Sequence, residues 1–253
     1  MLSAKPWRGD AVLQFCGAQL FCFCLSLMMA GLLQKAGLAT FRPPDGFGAV
    51  LLTTLGFQGA AWLLMLFFFW QHQIGWREAL GFRGPQLPRA LLMAVLVVIL
   101  LLPVVLGLQQ VSAVVLTKLG WHPEDQLAVT LLAGTKSWGM RIYLGAFAVV
   151  LAPVAEEFIF RGMLYPFVKQ LGWPRLAWFG VSFAFALIHD DAVTFMPLFV
   201  LALALTWLYE KTDNLLAPIA AHSLFNAANI VLLYFEEPVN QFLQKFEHIL
   251  HLT

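Results

Sequence analysis

The sequence predicts an all-α polytopic membrane protein, a bundle of about seven spanning helices (six to eight) with short interfacial amphipathic helices. Three observations lead there. Of the 253 residues, 60% are hydrophobic and 11% are charged, against about 45–50% and about 25% in an ordinary soluble domain. Apolar stretches of span length follow one another along the chain, and nearly every charge falls between them or at their ends. A chain this apolar lacks the polar groups to cover a water-facing surface, which excludes a soluble globule. The 15 basic and 14 acidic residues leave a net charge of +1, which points away from a nucleic-acid partner or a strongly basic peripheral protein.

A spanning helix needs roughly 20 apolar residues, and the stretches that meet this demand are 11–33, 47–70, 90–117, 141–168, 174–189, 193–209 and 215–235. Lys5 and Arg8 precede the first, as in a signal peptide. Its apolar run exceeds the usual core of about 7–15 residues and has no small-residue cleavage site, so a retained span is expected. Cys16, Cys22 and Cys24 all lie in it, too clustered for a disulfide framework, and read as apolar side chains facing lipid or a neighbouring helix. Pro103 and Pro153 fall inside the third and fourth spans, where a proline kinks a helix and frees a carbonyl. The fifth span is short, and must tilt little or sit beside a thinned or water-filled region. Segment 124–138 follows a Pro123-Glu124-Asp125 helix-opening signal and is expected at the interface. After Pro238, the residues Val239, Phe242, Leu243, Phe246, Ile249 and Leu250 recur at helical spacing, predicting a short amphipathic helix on the membrane surface. Basic residues outside the spans lean slightly toward a cytoplasmic N-terminus. With no repeat, low-complexity tract or soluble module, 1–253 reads as a single integral membrane domain.

Function is sought where polar groups sit at membrane depth. A charge near the bilayer centre costs at least ~2.5–3.5 kcal/mol, yet the fourth span carries Glu156, Glu157 and Arg161 within six residues. His189 ends the fifth span, and His222 and Asn226 lie in the seventh. Glu157 and Arg161 are spaced i,i+4 and can pair on one face. Glu156 points about 100° away on an undistorted helix, so it is free for another partner. His222 and Asn226 share a face by the same spacing, and Phe185 lies one turn before His189, where its ring can shield the imidazole. Asp190 and Asp191 read as a cap or loop residues, with a bond to the imidazole as the alternative. Together these groups supply a base for water and N–H donors for the oxyanion formed when water attacks an amide. That is the inventory for peptide hydrolysis without a covalent intermediate. Plainer readings compete: a structural Glu157–Arg161 pair, a buried Glu156 acid bonded to a carbonyl freed by Pro153, a satisfied helix-end His189, and an Asn226 that glues helices.

Three motifs add a resemblance. Glu156-Glu157-Phe158-Ile159-Phe160-Arg161 reads EExxxR, Phe185-Ala186-Leu187-Ile188-His189 reads FxxxH, and His222-Ser223-Leu224-Phe225-Asn226 reads HxxxN. In this order, each on a span, they resemble the CPBP family of intramembrane proteases, which includes type II CAAX prenyl endopeptidases and bacteriocin-processing or immunity proteins. The approach Leu215–Ala221 is similar as well. The resemblance covers roughly 141–230, with 141–235 as the expected catalytic core, and implies that Glu156 and His189 activate a water. His222 and Asn226 would hold the oxyanion, and Glu157 and Arg161, with Phe185, the geometry of the site. The family was also read as metalloproteases, in which case Glu156, His189 and His222 would hold zinc; the chain has no HExxH and Asn is an unusual companion ligand, so no cofactor is expected. The implied function is an intramembrane endopeptidase acting on a membrane-associated peptide or protein, prenylated CAAX-type peptides included. The implied setting is a bacterial cytoplasmic (inner) membrane, with lipid and a peptide or protein substrate as partners and no nucleic acid. The rivals are a non-proteolytic scaffold for immunity or regulatory binding, and a proton-coupled transporter with Glu156 and His189 as the relay.

Overall fold

A computed structural model describes residues 2–41, 47–82, 87–121, 130, 132, 134, 138–189 and 191–250, without the side chains of Phe47 and of 236–250. Every regular element among them is helical. In chain order, with a 3-10 turn at Ala39–Phe41 after the first, they are α1 (Gly9–Lys35), α2 (Gly48–Gln71), the single turn α3 (Trp76–Ala79), α4 (Leu87–Lys118), α5 (Trp138–Gln170), α6 (Pro174–Leu187), α7 (Ala192–Thr212) and α8 (Leu216–Leu250). Six of them are long and apolar enough to cross a membrane, and α6 is a shorter apolar helix. The protein is an integral, multi-pass membrane protein, and the seven expected stretches are these seven helices.

The differences lie at the ends. α6 has 14 residues, or about 21 Å of rise, too short for a hydrocarbon layer of about 30 Å. His189 follows its last turn. The tail after Pro238 is helical as expected, but it continues the last span as one helix, Leu216–Leu250, and does not begin a new one. Proline removes one ladder bond without ending a helix that is held on both sides, and Pro103 and Pro197 likewise lie inside α4 and α7. Most of the expected interfacial segment 124–138 lies outside the described residues.

Two buried clusters hold the bundle. One gathers Val12 and Phe15 of α1, Met65 and Phe68 of α2, Phe158 and Tyr165 of α5, and Phe185 of α6. The other packs Ala90 and Ala94 of α4 against Leu201 and Leu205 of α7 and Ala217 and Ala221 of α8. Lipid supplies no hydrophobic drive between helices, so close approach at such small residues provides the packing. Exposed residues such as Leu63, Ile99, Leu100 and Phe179 form the lipid-facing surface.

Two polar latches tie the chain at one end of the bundle. Extended residues before α1 run over the ends of α5 and α7. There the Leu2 amide donates to Glu210 Oε2 at 3.2 Å, the Lys5 amide donates to Gln170 Oε1 at 2.9 Å, and the Trp7 indole donates to the Gly162 carbonyl at 2.6 Å. The second latch follows α3, where Asn214 Nδ2 donates to the Gly81 carbonyl at 3.0 Å. Gly81 has φ +84°, and an added Cβ would stand 2.0 Å from Asn214 Oδ1, so only glycine fits this contact.

Candidate active site

The charges of α5 are collected at the centre of the bundle. Glu157 and Arg161 are both 0% exposed, and Arg161 Nη1 donates to Glu157 Oε1 at 2.8 Å. The i,i+4 spacing set up this pair, and the tertiary structure completes it. Arg161 Nη2 donates to the Ala202 carbonyl of α7 at 3.1 Å, and the guanidinium lies 4.5 Å from the centre of the Phe185 ring. His222 Nδ1 lies 2.9 Å from the same Glu157 oxygen. Since a carboxylate paired with arginine accepts, the ring proton at that contact sits on Nδ1, and Nε2 is the nitrogen turned toward Glu156.

Glu156 stands outside the Arg161 pair, yet it faces the same imidazole as Glu157, from the Nε2 side of the ring. Its Oε1 accepts from Gln58 Nε2 of α2 at 2.6 Å, and its Oε2 lies 3.9 Å from His222 Nε2. That gap is too long for a direct hydrogen bond. It is a separation across which a water can serve both groups. The carbonyl freed near Pro153 is not the partner of Glu156.

His189, half-buried, sits against the same aromatic ring. Phe185 is 4.8 Å from the His189 ring and 5.6 Å from the His222 ring, centre to centre. His189 Nδ1 lies 2.8 Å from the Phe185 carbonyl, which can only accept, so Nδ1 carries the proton and Nε2 is left as a bare acceptor. No direct hydrogen bond joins His189 to Glu156. Asn226, one turn beyond His222, donates from Nδ2 to the Ala148 carbonyl at 2.9 Å and keeps a second N–H and its carbonyl oxygen. Asp191 caps α7, with Oδ1 accepting from the Val193 amide and Oδ2 from the Thr194 hydroxyl, both at 2.9 Å.

The backbone is widened at each side of this cluster. π-Helical turns occupy Leu55–Gly59, Phe147–Leu151 and Phe158–Leu164, and such turns re-aim side chains and recur at functional sites. The first carries Gln58 and the third carries Arg161. The second offers the Ala148 carbonyl to Asn226 and the Leu151 carbonyl to the Trp62 indole.

The structure therefore joins Glu156, Glu157, Arg161, Phe185, His189 and His222 in one connected group, with Asn226 one helical turn away. Gln58 is the member that reading the sequence missed. Its signal was a lone amide in the middle of the second apolar run, between Gly56 and Gly59. Among the described residues no three His, Cys, Asp or Glu side chains are grouped closely enough to hold one metal ion.

Two proteins of Lactococcus lactis subsp. lactis (strain IL1403) resemble part of the chain. UPF0177 protein YaiF is 34% identical over 91 residues, which is 34% of this chain and 39% of that protein. UPF0177 protein YxdF is 28% identical over 88 residues, 33% of this chain and 48% of that protein. The aligned stretch thus spans less than half of either relative. No solved structure matches. The family model of type II CAAX prenyl endopeptidases, Rce1-like, matches residues 138–228, and so the segment that holds all three motifs and most of the central cluster is Rce1-like.

Proposed function

We propose that the protein is an intramembrane endopeptidase that hydrolyses a peptide bond of a membrane-associated peptide or protein, using water activated by Glu156 and His189. The observation that carries the reading is the free oxygen of Glu156. Oε2 faces His222 Nε2 across 3.9 Å, while the other oxygen of the same carboxyl is held by Gln58.

The chemistry then follows from the hydrogen-bond assignments. A water between Glu156 Oε2 and the bare Nε2 of His189 gives its proton to the carboxylate as its oxygen attacks the scissile carbonyl. His222, through Nε2–H when doubly protonated, and the spare N–H of Asn226 donate to the oxyanion. The C–N bond breaks as the proton held by Glu156 passes to the leaving amine, which restores the site. Glu157 and Arg161 take no part in the transfer. They fix the His222 ring by a charge-assisted bond at Nδ1. In the alternative reading Glu156, His189 and His222 would hold a zinc ion, and the response to chelators separates the two.

Residues 141–235 form the catalytic core in this reading, and the bacterial relatives support a bacterial cytoplasmic membrane as its location. Purified protein in liposomes, offered a panel of peptides with and without a prenyl group, tests it. Glu156→Gln is expected to lower kcat by about 10²–10⁴-fold, and His189→Ala to lower it comparably, with the wild-type rate unmoved by strong chelators. Variants that cleave at the wild-type rate would remove the site from contention. A wild-type protein that cleaves nothing would favour the scaffold reading, and proton-coupled flux the transporter.

A further inference from the structure

We infer that Gln58 is a positioning residue for Glu156, an assignment that deepens the endopeptidase reading and rests on it. Gln58 lies on α2, outside the matched segment 138–228, and is 7% exposed. The π-helical turn Leu55–Gly59 carries it, and its Nε2 donates to Glu156 Oε1 at 2.6 Å. A hydrogen bond to a carboxylate is shorter and about twice as strong as a neutral one. Fixing Oε1 in this way decides which oxygen works: Oε2 is the one left facing His222 Nε2. A carboxylate held at one oxygen cannot rotate to present the other, so the proton-accepting lone pair stays where the water must be.

The other end of the amide supports the assignment. Gln58 Oε1 is buried without a hydrogen-bond partner, and a bare acceptor at that depth calls for an explanation. Glutamine is suited to a carboxyl that gains and loses a proton. As a carboxylate, Glu156 takes the amide N–H at Oε1. With the proton from water on Oε2, Oε1 is the carbonyl oxygen of the acid and takes the same N–H, so the carboxyl keeps its aim through the transfer. A lysine would add a charge. The rival role, simple packing between α2 and α5, predicts an effect on stability alone.

Full-length protein with Gln58→Met, which keeps the bulk and lacks the donor, and with Gln58→Glu separates these roles. Gln58→Met is expected to lower kcat by about 10–100-fold at unchanged KM, the loss of one hydrogen bond to a charged group. Gln58→Glu is expected to recover activity as pH falls, because a protonated carboxyl at position 58 donates to Glu156 as the amide did, while Gln58→Met stays impaired throughout. If kcat of Gln58→Met stays within about twofold of wild type while Glu156→Gln is inactive, this inference fails and the endopeptidase reading stands. Wild-type protein that cleaves nothing overturns the endopeptidase reading instead. The Gln58–Glu156 contact is then read from melting temperatures of Gln58→Met, Glu156→Leu and the double variant, where additive shifts overturn it and non-additive shifts uphold it.

Discussion

Arg161→Met tests whether the buried ion pair carries the stability of the bundle's centre. Arg161 and Glu157 have no exposed side-chain surface, and the guanidinium also bonds the Ala202 carbonyl and lies over Phe185. Taking the cation away leaves Glu157 with His222 as its remaining partner, since its Oε2 already has none. Breaking one member of a buried pair costs about 3–5 kcal/mol. Glu157→Gln added to Arg161→Met removes the stranded charge and keeps an acceptor for His222 Nδ1. The double variant should therefore recover more than half of the loss. Reversible unfolding in mixed micelles at pH 7 measures all three proteins. A loss below about 1 kcal/mol at pH 7, or a double variant no more stable than the single one, would refute the charge argument.

Two further predictions concern the latches. Gly81→Ala forces a left-handed backbone onto a residue with a Cβ, at about 1–2 kcal/mol, and drives that Cβ into Asn214 Oδ1. A melting temperature equal to wild type would count against the Asn214 latch. Burial pushes the Asp213 carboxyl up, but hydrogen bonds from the Lys5 ammonium and the Ser3 amide outweigh it and hold the group below its usual range. A depressed folded value means that the contribution is complete at neutral pH and is lost as pH falls through that value. Asp213→Asn should thus lower the melting temperature at pH 7 and flatten its decline toward pH 3, and parallel curves would remove Asp213 from the pH response.

What the sequence made legible was what depends on neighbours along the chain. Hydropathy located the spans to within a few residues, because span length is dictated by the bilayer. The spacing of Glu157 and Arg161 settled their pairing, since a helix brings i and i+4 together wherever it lies. Contacts between helices were another matter. That His222 Nδ1 reaches Glu157, and that Gln58 reaches Glu156, depends on how α2, α5 and α8 are rotated about their axes, and each π-helical turn changes that rotation. A sequence pattern of period 3.6 carries no record of such turns. The same holds for the extended residues before α1, whose backbone bonds to Gln170 and Glu210 come from chain segments more than 160 residues away. Pro238 misled by a local rule, marking a boundary where α8 runs on.

The central cluster answers the cost of putting charge in a membrane by balance. Glu156 and Glu157 supply two negative charges, Arg161 supplies one positive charge, and His222 supplies a second when both ring nitrogens carry protons. The net charge of the four is then zero. If one proton passes from His222 Nε2 to Glu156 Oε2, across the 3.9 Å gap, the net charge is still zero. A proton can therefore change places without creating an unbalanced charge in a low-dielectric interior, where such a charge would cost several kcal/mol. Removing Arg161 breaks that equality in both arrangements, and removing Gln58 breaks it in neither. Arg161 variants should consequently lose stability first and activity with it, whereas Gln58 variants should lose rate in a protein that remains folded. The same geometry thus separates the groups that make the charge tolerable from the group that aims it.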